Sequence, residues 1–235
     1  MTASRGKRRF LILLCLFGFL LFSALGVWQV ERRDWKLDLI ARVNARVAAP
    51  VQPLPARTAW ARVNAKDDEY RHVRASGLLL NNRETLVDAL TERGAGFWVV
   101  TPLQTADGTI LINRGFVPAE RTPSAAQAEG QVTEPVTVTG LLRMTEPKGR
   151  ILRPNRPAEN RWYSRDVAAI AKARGLSNVA PYFIDADATP NPGGYPIGGM
   201  TVVTFRNMHL VYALTWFGLA ALSLAGLAML FRRER

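Results

Sequence analysis

Two long apolar stretches bracket the chain. Phe10 to Val30 runs for 21 residues without a charge, and its only strongly polar side chains are Ser23 and Gln29. Leu210 to Phe231 covers 22 residues and is also uncharged. Each matches the ~20 residues that a helix needs to cross the hydrocarbon of a bilayer. Helices suit that layer because they satisfy their own backbone polar groups. The pattern therefore predicts transmembrane helices at 10–30 and 209–231. Past the first run, Trp35, Leu39, Ile40, Val43 and Val47 recur at helical spacing. The first helix is expected to continue to about Val47 and to stop before Pro50, Pro53 and Pro55.

Between the spans the pattern changes to short β-type runs. Tyr70 to Leu80, Phe97 to Leu103, Thr109 to Asn113, Val136 to Leu142, Pro181 to Asp185 and Thr201 to Phe205 are strand candidates. Asp107-Gly108 separates two of them and suggests a hairpin. Asp166 to Arg174 reads as a helix, with Asp166 at its start and Gly175 at its end. Residues 118–135, rich in Ala, Gln, Thr and Pro, and the glycine-rich Asn191 to Gly199 read as irregular. Arg74-Ala-Ser-Gly-Leu-Leu and Val138-Thr-Gly-Leu-Leu echo each other, too briefly to make a repeat. The predicted fold class is α+β: two transmembrane helices flanking a mainly antiparallel, β-rich domain.

Charge changes the picture at the ends. The formal net charge is +12, but Arg5, Lys7, Arg8 and Arg9 precede the first span, and Arg232, Arg233 and Arg235, against Glu234, follow the second. Half of the excess is therefore flanking charge of the positive-inside kind. It predicts cytoplasmic tails at 1–9 and 232–235 and an extracytoplasmic domain at 31–208, and it removes most of the case for nucleic acid as a partner. Arg32, Arg33 and Lys36 after the first span weaken the asymmetry, partly offset by Glu31 and Asp34. A cleaved signal peptide is the rival reading of residues 1–30, but the apolar run is long and no Ala-x-Ala follows it. Only nine residues precede the span, which favours a bacterial inner membrane over an organelle.

Catalytic and metal signatures are sparse. Cys15 is the only cysteine, so CxxC redox, CxxCH haem-attachment and cysteine-pair metal motifs are excluded. The glycine pairs at 193–194 and 198–199 lack the spacing of a phosphate-binding loop. His72 with Ser76 is a nucleophile pairing on paper only, and no triad is identifiable by spacing. The chain reads as non-enzymatic. Its other histidine, His209, sits at the mouth of the second span, with Tyr212 and Trp216 on the same helical face. Antiparallel spans put His209 and Tyr212 at the level of Trp28 and Gln29, at the outer membrane surface. An ionisable group there needs a partner or a task. Hydrogen bonds to water, headgroups or backbone would serve as well as a ligand, and from composition Trp28 reads as an interfacial anchor before it reads as a site.

Several landmarks together resemble the surfeit locus protein one family, bacterial type. They are Gly26-Val-Trp28-Gln29-Val-Glu-Arg32 with Trp35-Lys36 and Leu39-Ile40; Ile112-Asn113-Arg114-Gly115-Phe116-Val117-Pro118; Gly149-Arg150 and Pro154-Asn155; Trp162-Tyr163-Ser164-Arg165-Asp166; Pro181-Tyr182-Phe183-Ile184-Asp185; and Arg206 through Ala220. Met208 stands where the family pattern often has a second Asn. The resemblance implies an assembly factor of haem-copper cytochrome c oxidase that binds haem a and delivers it to the catalytic subunit. It names that subunit, haem a synthase and membrane lipid as candidate partners. It implies His209 as the ligand of the haem iron, with Tyr212, Trp216, Trp28, Gln29 and Arg114 as further haem contacts. Arg32, Arg114 and Arg206 are candidate partners for the haem propionates, since arginine forks bind carboxylates well. Arg114-Gly115 also has a purely structural reading, a salt bridge beside a turn. The alternative function is a scaffold that steadies a maturing oxidase subunit without handling haem.

Overall fold

The computed structural model describes residues 5–121 and 131–232. The chain divides into two compact units, Met1–Arg42 with Thr204–Arg235, and Val43–Val203.

The first unit is a helix pair. Helix α1 is continuous over Arg5–Val47, and both it and the helix over His209–Arg232 are long and apolar enough to cross a membrane. The two pack antiparallel, and their contacts fall in order along both: Lys36 on the Phe205 ring, Gln29 on His209, Phe22 on Trp216 and Gly18 beside Ser223. Gly26 is buried, and a Cβ there would meet the Phe217 ring at 2.6 Å. Small residues mediate the approach, and Gly218, Ala221 and Ala225, which share another face of the second helix, are not among them. Gly218 has open space around it, whereas Ala213 and Ala220 are buried. The register places the Phe217 ring of the second helix against Gly26 of α1.

The second unit is a closed sheet with a helix on its outer face. Its elements are β1 (Gln52–Pro53), α2 (Ala65–Asp68), β2 (His72–Leu79), β3 (Thr85–Thr91), β4 (Gly94–Gln104), β5 (Thr109–Pro118), β6 (Val136–Met144), β7 (Gly149–Arg150), β8 (Arg153–Pro154), α3 (Val167–Ala173) and β9 (Val179–Ala186). The seven-stranded sheet runs β1-β2-β6-β9-β5-β4-β3. A further pairing of β2 with β4, through Leu78 with Gln104 and Leu79 with Leu103, closes it into a barrel. Closure removes sheet edges that would otherwise pair with other chains. Most pairs are antiparallel as expected, while β1–β2 and β5–β9 are parallel.

The Gly-Leu-Leu echo marks where strands meet a second neighbour. At Gly77, β2 passes from β6 to β4, and at Gly140, β6 takes up β9. A Cβ at either glycine would lie 2.1 Å from a backbone oxygen of the crossing strand. Leu103, Ile110, Ile112, Leu142, Tyr182 and Ile184 fill the barrel. Leu111, Phe183 and Val100 point outward and pack under α3 and Trp162. The strand β5 is therefore buried on both faces along most of its length. The helix α3 starts where predicted, with the Asp166 carboxylate accepting from Ala169 N–H at 3.0 Å.

Two expectations need correction. Thr201–Phe205 forms no strand, since the segment has no sheet neighbour and Val202 is exposed. The strand β3 was not anticipated. Of the predicted loop 118–135, residues 122–130 lie outside the described residues, as do the terminal cations Arg233 and Arg235.

Candidate functional site

His209 opens the second apolar helix, here α4 (His209–Arg232). Asn207 Oδ1 accepts from its backbone N–H at 3.4 Å, which answers one of the free donors of a helix start. Its ring turns toward α1, where Nδ1 lies 2.7 Å from Gln29 Oε1. Gln29 is 9 % exposed, so this polar pair sits inside the helix contact. With Gln29 Oε1 as acceptor, Nδ1 carries the proton and Nε2 keeps its lone pair. Among the described residues Nε2 has no hydrogen-bond partner. The arrangement is an oriented imidazole with a basic nitrogen left over.

The aromatic candidates divide by direction. Trp216 stacks on Phe22 with ring centroids 5.7 Å apart, inside the pair. Trp28 and Tyr212 are more than half exposed on the outside of it. Of the cations in this unit, Arg32 lies over the Trp35 ring at 4.0 Å and Arg206 is exposed.

Arg114 belongs to the barrel unit, and the structure supports its structural reading. It is 4 % exposed, stands 3.8 Å from Glu84 and donates to Asn191 Oδ1 at 2.9 Å. Burial pushes its pKa below the ordinary arginine value, and Glu84 opposes that shift. The neighbouring Gly115 holds φ +134°, and the backbone of Ile197 lies where a Cβ would be. Arg114 thus answers a carboxylate within its own unit.

The densest polar cluster was not singled out from sequence. The Asp185 carboxylate on β9 is 3 % exposed and accepts from Asn113 at 2.7 Å, Arg143 at 2.8 Å, Arg165 at 2.9 Å and Thr201 at 3.0 Å. Arg165 also pairs with Glu146 at 2.5 Å and lies over the Phe183 ring at 4.7 Å. Burial alone would lower the Arg165 pKa, but Asp185 and Glu146 more than compensate and raise it. A cleft of about 240 Å³ opens beside this cluster, between Trp98, Arg143, Arg165 and Met200. Its two arginines face Asp185, Glu146 and Glu69, so it carries no net positive charge for an anion. His72 and Ser76 stand about 13 Å apart along β2 at ordinary strand rise, and the Ser76 hydroxyl is engaged with Thr137 at 2.8 Å.

Comparison with known proteins fits both units. A model of the SURF1 family matches residues 16–221, a span that takes in Gln29, the whole barrel and His209. Surfeit locus protein 1 of mouse is 42 % identical over 214 residues, covering 84 % of this chain and 68 % of the mouse protein. The human protein of the same name is 40 % identical over 215 residues, covering 84 % and 69 %. A SURF1-like protein of Monosiga brevicollis is 37 % identical over 224 residues, covering 89 % and 83 %. The chain belongs to the SURF1 family. The family match includes the ends of the two apolar helices that carry Gln29, His209, Tyr212 and Trp216, as well as the barrel cluster around Asp185.

The sequence signal that could have found the barrel cluster was faint. Asn113, Arg143, Arg165 and Asp185 lie on separate segments, and only the closed sheet brings them together. For this SURF1-family chain, Gln29 stood out because it is one of two strongly polar side chains in the first apolar run.

Proposed function

We propose that this SURF1-family chain is a non-enzymatic assembly factor for haem-copper cytochrome c oxidase. It holds haem a at the outer surface of a bacterial inner membrane and passes it to the catalytic subunit. Arg5, Lys7, Arg8 and Arg9 at one helix end and Arg232 at the other support this topology, with both termini cytoplasmic and the barrel outside.

One observation carries the cargo assignment: the His209 imidazole, fixed at Nδ1 by Gln29 and left with a basic Nε2. A haem supplies its own in-plane nitrogens and needs from the protein only an axial ligand, for which neutral imidazole is a common choice. The residues fit the group in other ways. Exposed Trp28 and Tyr212 offer ring contacts beside the ligand, and exposed Arg206 offers a fork for a propionate. Arg114, tied to Glu84 and Asn191, is left out of the proposed site.

The test is the absorption spectrum of the full chain purified gently from cells that synthesise haem a, beside that of His209→Ala. The expected result is a Soret band in the parent protein and its loss in a variant that still carries its folded barrel. Full haem content in the variant would remove His209 as the ligand. No Soret band in the parent would favour a scaffold role instead.

A further inference from the structure

The β7–β8 hairpin exposes two aliphatic side chains at its tip. Ile151 is 94 % and Leu152 is 96 % exposed. Gly149 pairs with Pro154 and Arg150 with Arg153, so Ile151-Leu152 is the whole two-residue turn. Leu152 holds φ +65°, the left-handed region that tight turns normally fill with Gly or Asn. Backbone preference and contact with water both disfavour leucine at this position. Strain and apolar exposure kept together at one surface point indicate a role outside the domain's own packing.

The surroundings of the tip are basic. Lys148, Arg150 and Arg153 lie within residues 148–154, and no acidic residue does. The collar is also braced. Arg150 donates to the Asp88 carbonyl at 2.9 Å and stands 3.3 Å from its carboxylate, while Arg153 lies 5.8 Å over the Tyr163 ring. Leu90, an exposed aliphatic of the barrel at 78 %, differs in both respects. It is single, and its neighbours Asp88, Glu92 and Arg93 carry mixed charge.

We propose that the Ile151-Leu152 tip is a membrane-contact element that enters an anionic bilayer surface. The two side chains sit at the boundary of headgroups and acyl chains, and Lys148, Arg150 and Arg153 lie among the phosphates. Two features of the chain favour this occupant over a protein groove. Two helices able to cross a membrane keep a bilayer at high local concentration around the domain. The bilayer surface also offers an apolar layer beneath a negative one, which matches the tip and its collar in order. The inference rests on α1 and α4 being embedded in a bilayer and is independent of haem binding.

The experiment uses the full chain in lipid nanodiscs doped with a photoactivatable lipid whose reactive group lies just below the headgroups. Cross-linked residues are mapped by mass spectrometry in discs rich in phosphatidylglycerol and in discs of phosphatidylcholine alone. The expected result is labelling at 151–152 in anionic discs and none at Leu90. Labelling should fall about fivefold in Arg153→Gln, the effect of removing one cation near the surface. The double variant Ile151→Asn/Leu152→Gly supplies a better turn by local rules. It should fold as well or better by circular dichroism and lose labelling across 148–154. Absence of label at the tip of the folded parent, equal label in both lipids, or persistence in the double variant would each overturn the proposal. So would label that is replaced by cross-links to another protein when native membrane extract is added. Labelling within α1 and α4 shows in the same discs that the helices are embedded, so failure of the anchor and failure of the tip are separable.

Discussion

Asp185 in the barrel takes four hydrogen bonds from Asn113, Arg143, Arg165 and Thr201, whereas His209 in the helix pair is held at one ring nitrogen by Gln29. Away from water an unanswered polar group is costly. The first is answered nearly to capacity, and the second keeps a lone pair in reserve. A saturated cluster has little capacity left for a ligand and acts on the fold. A half-answered one at a helix end, beside exposed aromatics, has capacity left for chemistry. That contrast favours a structural role for the barrel cluster and fits the cargo role proposed for the helix pair, although the barrel holds more charged groups.

The sharpest way to break the contrast is Asp185→Ala. It leaves Arg143 and Arg165, both half-buried, with only Glu69 and Glu146 as ionic partners. The expected loss is about 3–5 kcal/mol of barrel stability, the usual cost of removing one member of a buried ion pair. Denaturant unfolding of the purified chain, followed by tryptophan fluorescence, measures it. A loss below about 1 kcal/mol would mean that the cluster is not holding the barrel, and the division of roles would fail.

Gln29→Ala tests the other side. It removes the group that orients the imidazole but not the imidazole itself. Groups that fix a ligand's ring orientation are commonly worth 10–100-fold in metal affinity, so haem affinity should fall by about that factor, with Gln29→Glu retaining most of it. Titration of the detergent-purified variants with haem reads the effect. An unchanged affinity would reduce Gln29 to a helix-packing residue.

The two regions were not equally legible in sequence. The helix pair was, because hydrophobicity without charge over 21 and 22 residues has few other readings, and antiparallel spans bring residue 29 near residue 209 by topology alone. The barrel was legible as strands but not as a barrel. Closure depends on β2 meeting β4 beside Gly77, a contact between residues that no local pattern relates. Thr201-Val-Val-Thr looked like a strand because β-branched residues favour sheets, but propensity acts only where a neighbouring strand is present. In β3 the run Thr85-Leu-Val-Asp-Ala-Leu-Thr was masked by Asp88, which points outward to Arg150. The Asp185 cluster could be assembled only after the sheet order was known.

Gly26→Val sharpens the geometry of the pair. The added side chain would run into the Phe217 ring, which already lies 2.6 Å from where a Cβ would be. Overpacking of this sort costs about 1–3 kcal/mol. The helices should separate at the level of Gln29 and His209 and lose the hydrogen bond between them. Haem content should fall along with proximity of the helices, read by cross-linking between paired cysteines placed at Phe22 and Trp216. Haem content that survives helix separation would show that the ligand does not need its α1 partner.

The smallest effect is a matter of pH, and it belongs to the barrel alone. Burial by itself would raise the pKa of Glu146, but the hydrogen bonds and charge of Arg165, with a contribution from Arg143, hold its carboxyl below the usual range. A carboxyl lowered in the folded state contributes stability above its unfolded pKa, near 4.3, and loses it as pH falls through the folded value. Arg165 stays protonated throughout and adds no slope there. The barrel should therefore weaken below about pH 4, and Glu146→Gln should flatten that part of the profile. Asp187 is lowered as well: burial would raise it, while hydrogen bonds from Thr139 and Thr189 outweigh burial. Some acid sensitivity should thus remain in Glu146→Gln and shrink further when Asp187→Asn is added. The stacked Phe22–Trp216 contact in the other unit contains no titrating group, so fluorescence from that pair should stay level across the same window. If the helix pair and the barrel lost structure together at the same pH, the two would not be separate in the way their hydrogen bonding indicates.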